Sequence, residues 1–270
     1  MNQQKYFWQH YGEQKLLSLS FRELKLSLEA APFRPWIDHY ESELDSFGIR
    51  FRPHLWISEE WFSPDDVPGI AIPFYLCHTR LRALQRKYLF QVEGGSREEF
   101  LCIVRHEAGH AFETAFELSK EAQWRKIFGN PEKPYPARSY APNPFSDHYV
   151  QNIKFWYAQS HPHEDFAETF AVCLRRGFNW RRRYRNAPIA LRKLEYVESL
   201  LKELPRRKAK NVSRRKIDPS SRSALTLRAY YDREREQYAL DEGSSMDGTL
   251  LRLFHREKER ESVRASAFLR

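Results

Sequence analysis

The clearest hydrophobic pattern in the chain predicts one long helix. After the helix-breaking pair Gly94 and Gly95, residues 96–99 have the S-x-x-E spacing of a capping box, in which two side chains satisfy the first backbone N–H groups. Apolar side chains then recur every three to four residues and form one arc on a helix. The arc consists of Phe100, Ile103, Val104, Ala108, Ala111, Phe112 and Ala115. We therefore expect a helix that starts at Ser96 and buries one side.

Other patterns predict a mixed fold. Residues 49–58 (IRFRPHLWIS) alternate apolar and polar side chains, and residues 69–76 (GIAIPFYL) form a short apolar run; both are typical of strands. Pro73 favours an edge position for the second strand, because proline has no N–H to donate to a central ladder. Helices are also predicted at 21–29 and 191–204. We expect an α+β fold, mostly helical, with a small edge-exposed sheet.

The pattern changes late in the chain. Residues 1–204 are rich in aromatic and aliphatic side chains, whereas the stretch that begins at Pro205 (PRRKAKNVSRRKIDPSSRS) is basic and polar without an apolar period. Beyond it, 224–240 and 250–260 can form charged helices that lack a wide apolar face. The prediction is one main domain over 1–204, followed by a basic linker and semi-ordered helical tail over 205–270.

Composition narrows the class of protein. The 270 residues are 41% hydrophobic, which suffices for a packed core despite a mean hydropathy of -0.74. The three cysteines form no CxxC pair, which argues against a disulfide framework and against a cysteine-rich zinc site. No stretch approaches the ~18 apolar residues of a membrane span, and the first residues lack a signal-peptide pattern. We expect a cytoplasmic protein with no membrane partner.

The chain is basic, with a net charge of +9 and positive clusters at 175–176, 181–183 and 206–208. Such clusters attract nucleic acid or acidic proteins. More often they form a solvated surface, and no nucleic-acid-binding motif accompanies them here. Nucleic-acid binding through the basic tail is therefore an alternative that the sequence does not favour.

The predicted long helix carries the segment His106-Glu107-Ala108-Gly109-His110. Histidines four residues apart lie on the same side of a helix, about 5–6 Å apart at Cβ, so both can bind one zinc ion. Zinc lowers the pKa of a bound water to about 7, and Glu107 can take a proton from that water as general base. The spacing predicts a zinc hydrolase site; the simpler alternative is two surface histidines beside an exposed glutamate.

A catalytic zinc site needs a third protein ligand. The HExxHxxGxxH pattern is excluded, because Glu113 and Phe116 stand where its glycine and last histidine would be. A second helix is predicted near Pro162, which suits a first turn. On that helix, Glu164 can bind the metal, and Glu168 can hydrogen-bond a ligating histidine. Both glutamates can also be ordinary first-turn acids that the helix dipole favours.

Together, HEAGH and EDFAETF resemble the catalytic motifs of lethal-factor-type zinc peptidases, a gluzincin-like family with HExxH and a downstream ExFAExF pattern. The resemblance spans about 96–174 and implies a zincin-like domain that hydrolyses a peptide or protein substrate. It implies that His106, His110 and Glu164 bind one zinc ion per chain and that Glu107 is the base.

The same family places a tyrosine near the metal, seven residues before its ligating glutamate, which corresponds here to Tyr157. A phenol at that place can stabilise an oxyanion, although a packing tyrosine is the commoner case. Because imidazole is a good zinc donor, a histidine can replace Glu164 as the third ligand. The candidate histidines are His148, His161 and His163.

Two other functions fit parts of the sequence. One is a nucleic-acid-binding module with a non-catalytic zinc site; Glu107 beside an open coordination position argues against it, since structural zinc sites are closed. The other is a DNA-associated zinc protease with three histidine ligands. The proline-rich loop at 129–144 is a candidate cleft wall or lid, or else a rigid surface connection.

Overall fold

The computed structural model describes residues 6–135, 141–154 and 156–237. The helices are α1 (Glu13–Leu17), α2 (Arg34–Ser46), α3 (Thr79–Leu89), α4 (Arg97–Phe116), α5 (Ala122–Phe128), α6 (Pro162–Leu174), α7 (Trp180–Arg183) and α8 (Pro188–Glu203). A further helical stretch covers 227–237. The strands are β1 (His54–Ser58) and β2 (Gly69–Pro73). The fold is therefore α+β and mostly helical, with a small sheet, as the sequence predicts.

Over these ranges, no helix is both long and apolar enough to cross a bilayer.

The sheet is small and buried. β1 and β2 run parallel, with His54 opposite Gly69, and β2 is buried along its whole length. On the other side of β2, the N–H of Ala71 donates to the carbonyl of Phe62 at 2.8 Å. This strand therefore has a neighbour on each side over part of its length. Pro73 is compatible with such a strand because it is the last residue, where no N–H is needed for the ladder.

Both helices that carry the candidate motifs start where the sequence predicts. The hydroxyl of Ser96 accepts a bond from the N–H of Glu99 at 3.2 Å and caps α4. His161 caps α6 through Nδ1, which accepts from the N–H of His163 at 3.2 Å, and Pro162 occupies the first turn. Each start is encoded locally, by one polar cap and the residues that follow it.

α4 and α6 pack against each other at the centre of the fold. They approach closely at Gly109, where a Cβ would lie only 2.7 Å from the Cα of Ala167. α4 is also tied to α2 by a buried ion pair in which Arg105 donates two bonds of 2.8 Å to Glu43. Contacts with both α6 and α2 therefore hold the middle turns of α4 in place.

Two further helix predictions have opposite outcomes. The helix expected at 191–204 is confirmed, since α8 covers nearly the same residues. The helix expected at 21–29 is wrong: only a 3-10 turn, Phe21–Leu24, forms there. Lys25 adopts the left-handed conformation, with φ of 48°, and this ends the turn after four residues.

The residues beyond 204 lie against the rest of the fold as far as the structure describes them. Leu227 and Tyr231 are fully buried, so the helical stretch at 227–237 has an apolar side that the sequence analysis did not anticipate. The indole N–H of Trp56 in β1 donates to the carbonyl of Ile217 at 2.9 Å. The domain boundary after 204 stays a prediction, and the expected tail segment 250–260 lies outside the described residues.

Candidate metal centre

α4 and α6 bring three metal-binding side chains to one point. Oε2 of Glu164 lies 3.0 Å from Nε2 of His106 and 3.2 Å from Nε2 of His110, and the two nitrogens are 3.2 Å apart. Within the described ranges, these three residues form a group of potential metal ligands, with one ligand atom from each within 4.8 Å of the others. Two imidazole nitrogens and one carboxylate oxygen are a donor set typical of zinc.

The cluster faces a cavity of about 430 Å³. His106 and Glu164 are buried, with 2% and 5% of their surfaces exposed, whereas His110 is only partly buried. Glu107 and Tyr157 also line this cavity. The donors therefore converge from the protein side while a space remains on the other side, an arrangement that suits a catalytic metal site better than a closed structural one.

Glu168 lies behind His106 and is completely buried. Its Oε1 is 2.9 Å from Nδ1 of His106, and its Oε2 accepts bonds of 2.7 Å from the backbone N–H groups of Asn152 and Ile153. A carboxylate held in this way accepts the proton on Nδ1 and leaves the lone pair of Nε2 directed at the cluster. Glu168 thus fixes both the orientation and the tautomer in which His106 can bind a metal.

The charges of the site favour a cation at its centre. Burial lowers the pKa of His106, but hydrogen bonds to Glu164 and Glu168 outweigh burial and raise this pKa to about 10. Burial also lowers the pKa of His110, but the charge and the hydrogen bond of Glu164, together with the charge of Glu107, outweigh burial and raise this pKa. Burial raises the pKa of Glu164, yet the two histidines lower it far more, so this carboxylate stays ionised. The carboxylates therefore stabilise positive charge between them.

The carboxyl group of Glu107 has a raised pKa, whereas that of Glu164 is lowered. Burial raises the pKa of the Glu107 carboxyl group, and the nearby charges of His106 and His110 only partly counteract this. A backbone hydrogen bond from Ser63, another residue that lines the cavity, also lowers this pKa. A carboxylate with a raised pKa is a stronger proton acceptor, as a general base requires.

Two tyrosines lie in the cavity wall. Tyr157 is in the 3-10 turn Tyr157–Gln159, and its ring centre is 5.7 Å from that of His106. Tyr135 donates from its hydroxyl to Oε1 of Glu164 at 3.0 Å. Burial first, and then the charge of Glu164, raises the pKa of the Tyr135 phenol, which therefore stays protonated. Sequence reasoning missed Tyr135, and its only signal was a place in the loop at 129–144.

The other candidate histidines have different partners. Nδ1 of His163 is 2.5 Å from Oε1 of Glu113, and Nε2 of His161 is 2.5 Å from the carbonyl of Lys133. His148 is largely exposed. Within the described ranges, none of the three histidines joins the cluster of possible ligands. Their contacts do not favour any of them over Glu164 as the third ligand.

A comparison with known families agrees with the geometry. Residues 95–176, less than half of the chain, match the family described as "Putative zinc-binding metallo-peptidase". No curated protein and no solved structure matches the chain significantly. The matched residues contain α4 and α6 and with them all the side chains of the cluster. The finer resemblance to lethal-factor-type peptidases stays a prediction. This part of the chain is thus similar in sequence to a family described as zinc-binding metallo-peptidases, and it carries a site whose donors fit zinc.

Proposed function

We propose that the protein is a zinc-dependent metallopeptidase that hydrolyses peptide bonds in the cavity between α4 and α6. The observation that carries this proposal is the convergence of His106, His110 and Glu164 on one side of that cavity, with Glu107 in its wall. An HExxH helix alone can occur by chance. A buried carboxylate from a second helix at the same point supports the metal site independently.

Three atoms would hold one zinc ion: Nε2 of His106, Nε2 of His110 and Oε2 of Glu164. The buried bond between Glu168 and Nδ1 of His106 prepares one of these donors in advance. When bound, zinc supplies a Lewis acid, which increases the acidity of water near neutral pH and polarises a carbonyl group.

The remaining chemistry falls to two side chains of the cavity wall. Glu107 takes the proton of the attacking water on its carboxylate and returns it to the leaving nitrogen of the peptide bond. The phenol of Tyr157 donates a hydrogen bond to the carbonyl oxygen as that oxygen gains negative charge. The position of Tyr157 in the cavity, with its ring near that of His106, supports this role.

The alternatives have weaker support. A three-histidine protease would need His148, His161 or His163 beside the HExxH pair, but each of these side chains has other contacts. Nucleic-acid binding and a cytoplasmic location rest on composition alone and stay predictions.

The experiment compares peptide cleavage by the wild type and by Glu107→Gln, each supplied with zinc and incubated with a mixed peptide library. We expect Glu107→Gln to retain zinc and lose at least ~10² in rate, the usual lower bound for a general base. Glu98→Gln is the matched control, because Glu98 is exposed in the first turn of the same helix. Hydrolysis by Glu107→Gln at the wild-type rate would contradict the proposed mechanism.

A further inference from the structure

The two carboxylate oxygens of Glu164 have different partners. Oε2 lies 3.0 Å and 3.2 Å from the histidine nitrogens of α4, while Oε1 accepts the hydroxyl hydrogen bond of Tyr135 at 3.0 Å. The side chain is 5% exposed, so water has little access to either oxygen. One oxygen therefore faces the candidate metal centre, and the other is bound by a tyrosine of the cavity wall.

This division matters for a metal ligand. A carboxylate can bind a metal through one oxygen or through both. In a catalytic zinc site, a second oxygen from the same side chain would occupy the position that water or substrate needs. A hydrogen bond to Oε1 opposes that second contact, because it restricts the rotation of the carboxylate and occupies one of the two lone pairs of this oxygen.

We infer that Tyr135 is a positioning residue for the metal centre, which keeps Glu164 a one-oxygen ligand and so keeps a coordination position open for the substrate. This inference rests on the proposed function. It assigns a role to a side chain that touches Glu164 and lies next to the reaction space, without itself taking part in bond cleavage.

The ring of Tyr135 has a separate task. It stacks on the imidazole of His161, with ring centres 3.8 Å apart and planes 12° apart. His161 caps α6, the helix that carries Glu164, and its Nε2 is 2.5 Å from the carbonyl of Lys133 in the same loop. Both loop residues thus contact the first turn of α6. The ring of Tyr135 stacks on His161, and its hydroxyl donates to Glu164. Tyr135→Phe therefore removes the bond to Glu164 and keeps the stacking on His161.

The chain offers a matched control. The hydroxyl of Tyr88 donates to Oε1 of Glu13 at 2.9 Å, which is the same type of bond between the same residue types. Neither residue lines the candidate cavity. Tyr88→Phe therefore measures the general effect of losing one tyrosine–glutamate hydrogen bond.

The test measures zinc affinity of the full chain by competition with a chelator. We expect Tyr135→Phe to weaken zinc binding by about 10–100-fold, the usual effect of losing a group that orients a ligand, and Tyr88→Phe to leave it unchanged. In a Glu164→Ala background, Tyr135→Phe should have no further effect, because it acts through Glu164.

A second readout uses cobalt in place of zinc. If Oε1 is released in Tyr135→Phe and joins the metal, the coordination number rises and the visible absorption of cobalt weakens. A Phe variant with wild-type zinc affinity and an unchanged cobalt spectrum would overturn the inference. So would an equal loss of affinity with and without Glu164. A wild type that binds no zinc at all would instead contradict the proposed function, so the two failures are distinguishable.

Discussion

Gly109→Ala is the sharpest test of how the two motif helices pack. Position 109 is in the middle of α4, and a Cβ there would lie 2.7 Å from Cα, 3.1 Å from Cβ and 3.3 Å from the carbonyl oxygen of Ala167. The nearest of these is a backbone atom of α6, which cannot rotate away. The added methyl group therefore has to push one helix away from the other.

The expected loss of folding stability in Gly109→Ala follows from the contact distances. Carbon atoms pack best at ~3.5–4.0 Å, so the nearest contact is too short by roughly 1 Å. Overpacking of this kind costs ~1–3 kcal/mol, and alanine regains up to ~1 kcal/mol over glycine in helix propensity. We expect a net loss of about 1 kcal/mol, or roughly 2–4 °C in Tm for a chain of this size.

The effect on the metal centre should exceed the effect on folding. α6 carries Glu164 and Glu168, which lie 3.0 Å and 2.9 Å from the ring nitrogens of His106. A shift of a few tenths of an ångström is enough to disturb a metal site between these side chains, because metal–ligand distances vary by only about ±0.2 Å. We expect zinc affinity to fall by at least about tenfold, as for loss of an orienting group.

The assay pairs thermal unfolding with chelator competition, and Gly12→Ala is the control. A Cβ at Gly12 would meet no atom within 4 Å, and its φ of -59° suits any residue. Gly12→Ala should therefore match the wild type in both measurements. If Gly109→Ala also matches the wild type, α4 and α6 do not approach as closely as described, and the packing argument for the site fails.

Two further predictions concern the third ligand and the C-terminal part. Glu164→Ala should weaken zinc binding more than Glu168→Ala or His163→Ala in chelator competition, since a direct ligand outweighs an orienting group; His163→Ala as the most damaging change would reverse the assignment of Glu164. A chain that stops after residue 204 should have a markedly lower Tm, because it loses the buried Leu227 and Tyr231. An unchanged Tm would show that those residues add nothing to the core.

Local signals explain what the sequence predicts well. The starts of α4 and α6 depend on a cap and a first turn, which are encoded within a few residues. The four-residue spacing of His106 and His110 similarly fixes their common side of α4.

Features that depend on distant contacts were not predictable. Nothing in the local sequence places Tyr135 beside Glu164, since their hydrogen bond joins residues that are 29 positions apart. The helix expected at 21–29 failed because the polypeptide turns at Lys25. The packing of residues 205–237 depends on partners far away in the sequence, such as Trp56, which donates to the carbonyl of Ile217 across 161 positions.

The most direct test of a zinc site is the metal content of the purified full chain after incubation with zinc and dialysis. We predict about one zinc ion per chain for the wild type, and none retained by His106→Ala or His110→Ala, because too few donors remain. His148→Ala is the control, since this exposed histidine is outside the cluster, and it should retain the metal. A folded wild type that retains no zinc would contradict the account at its centre.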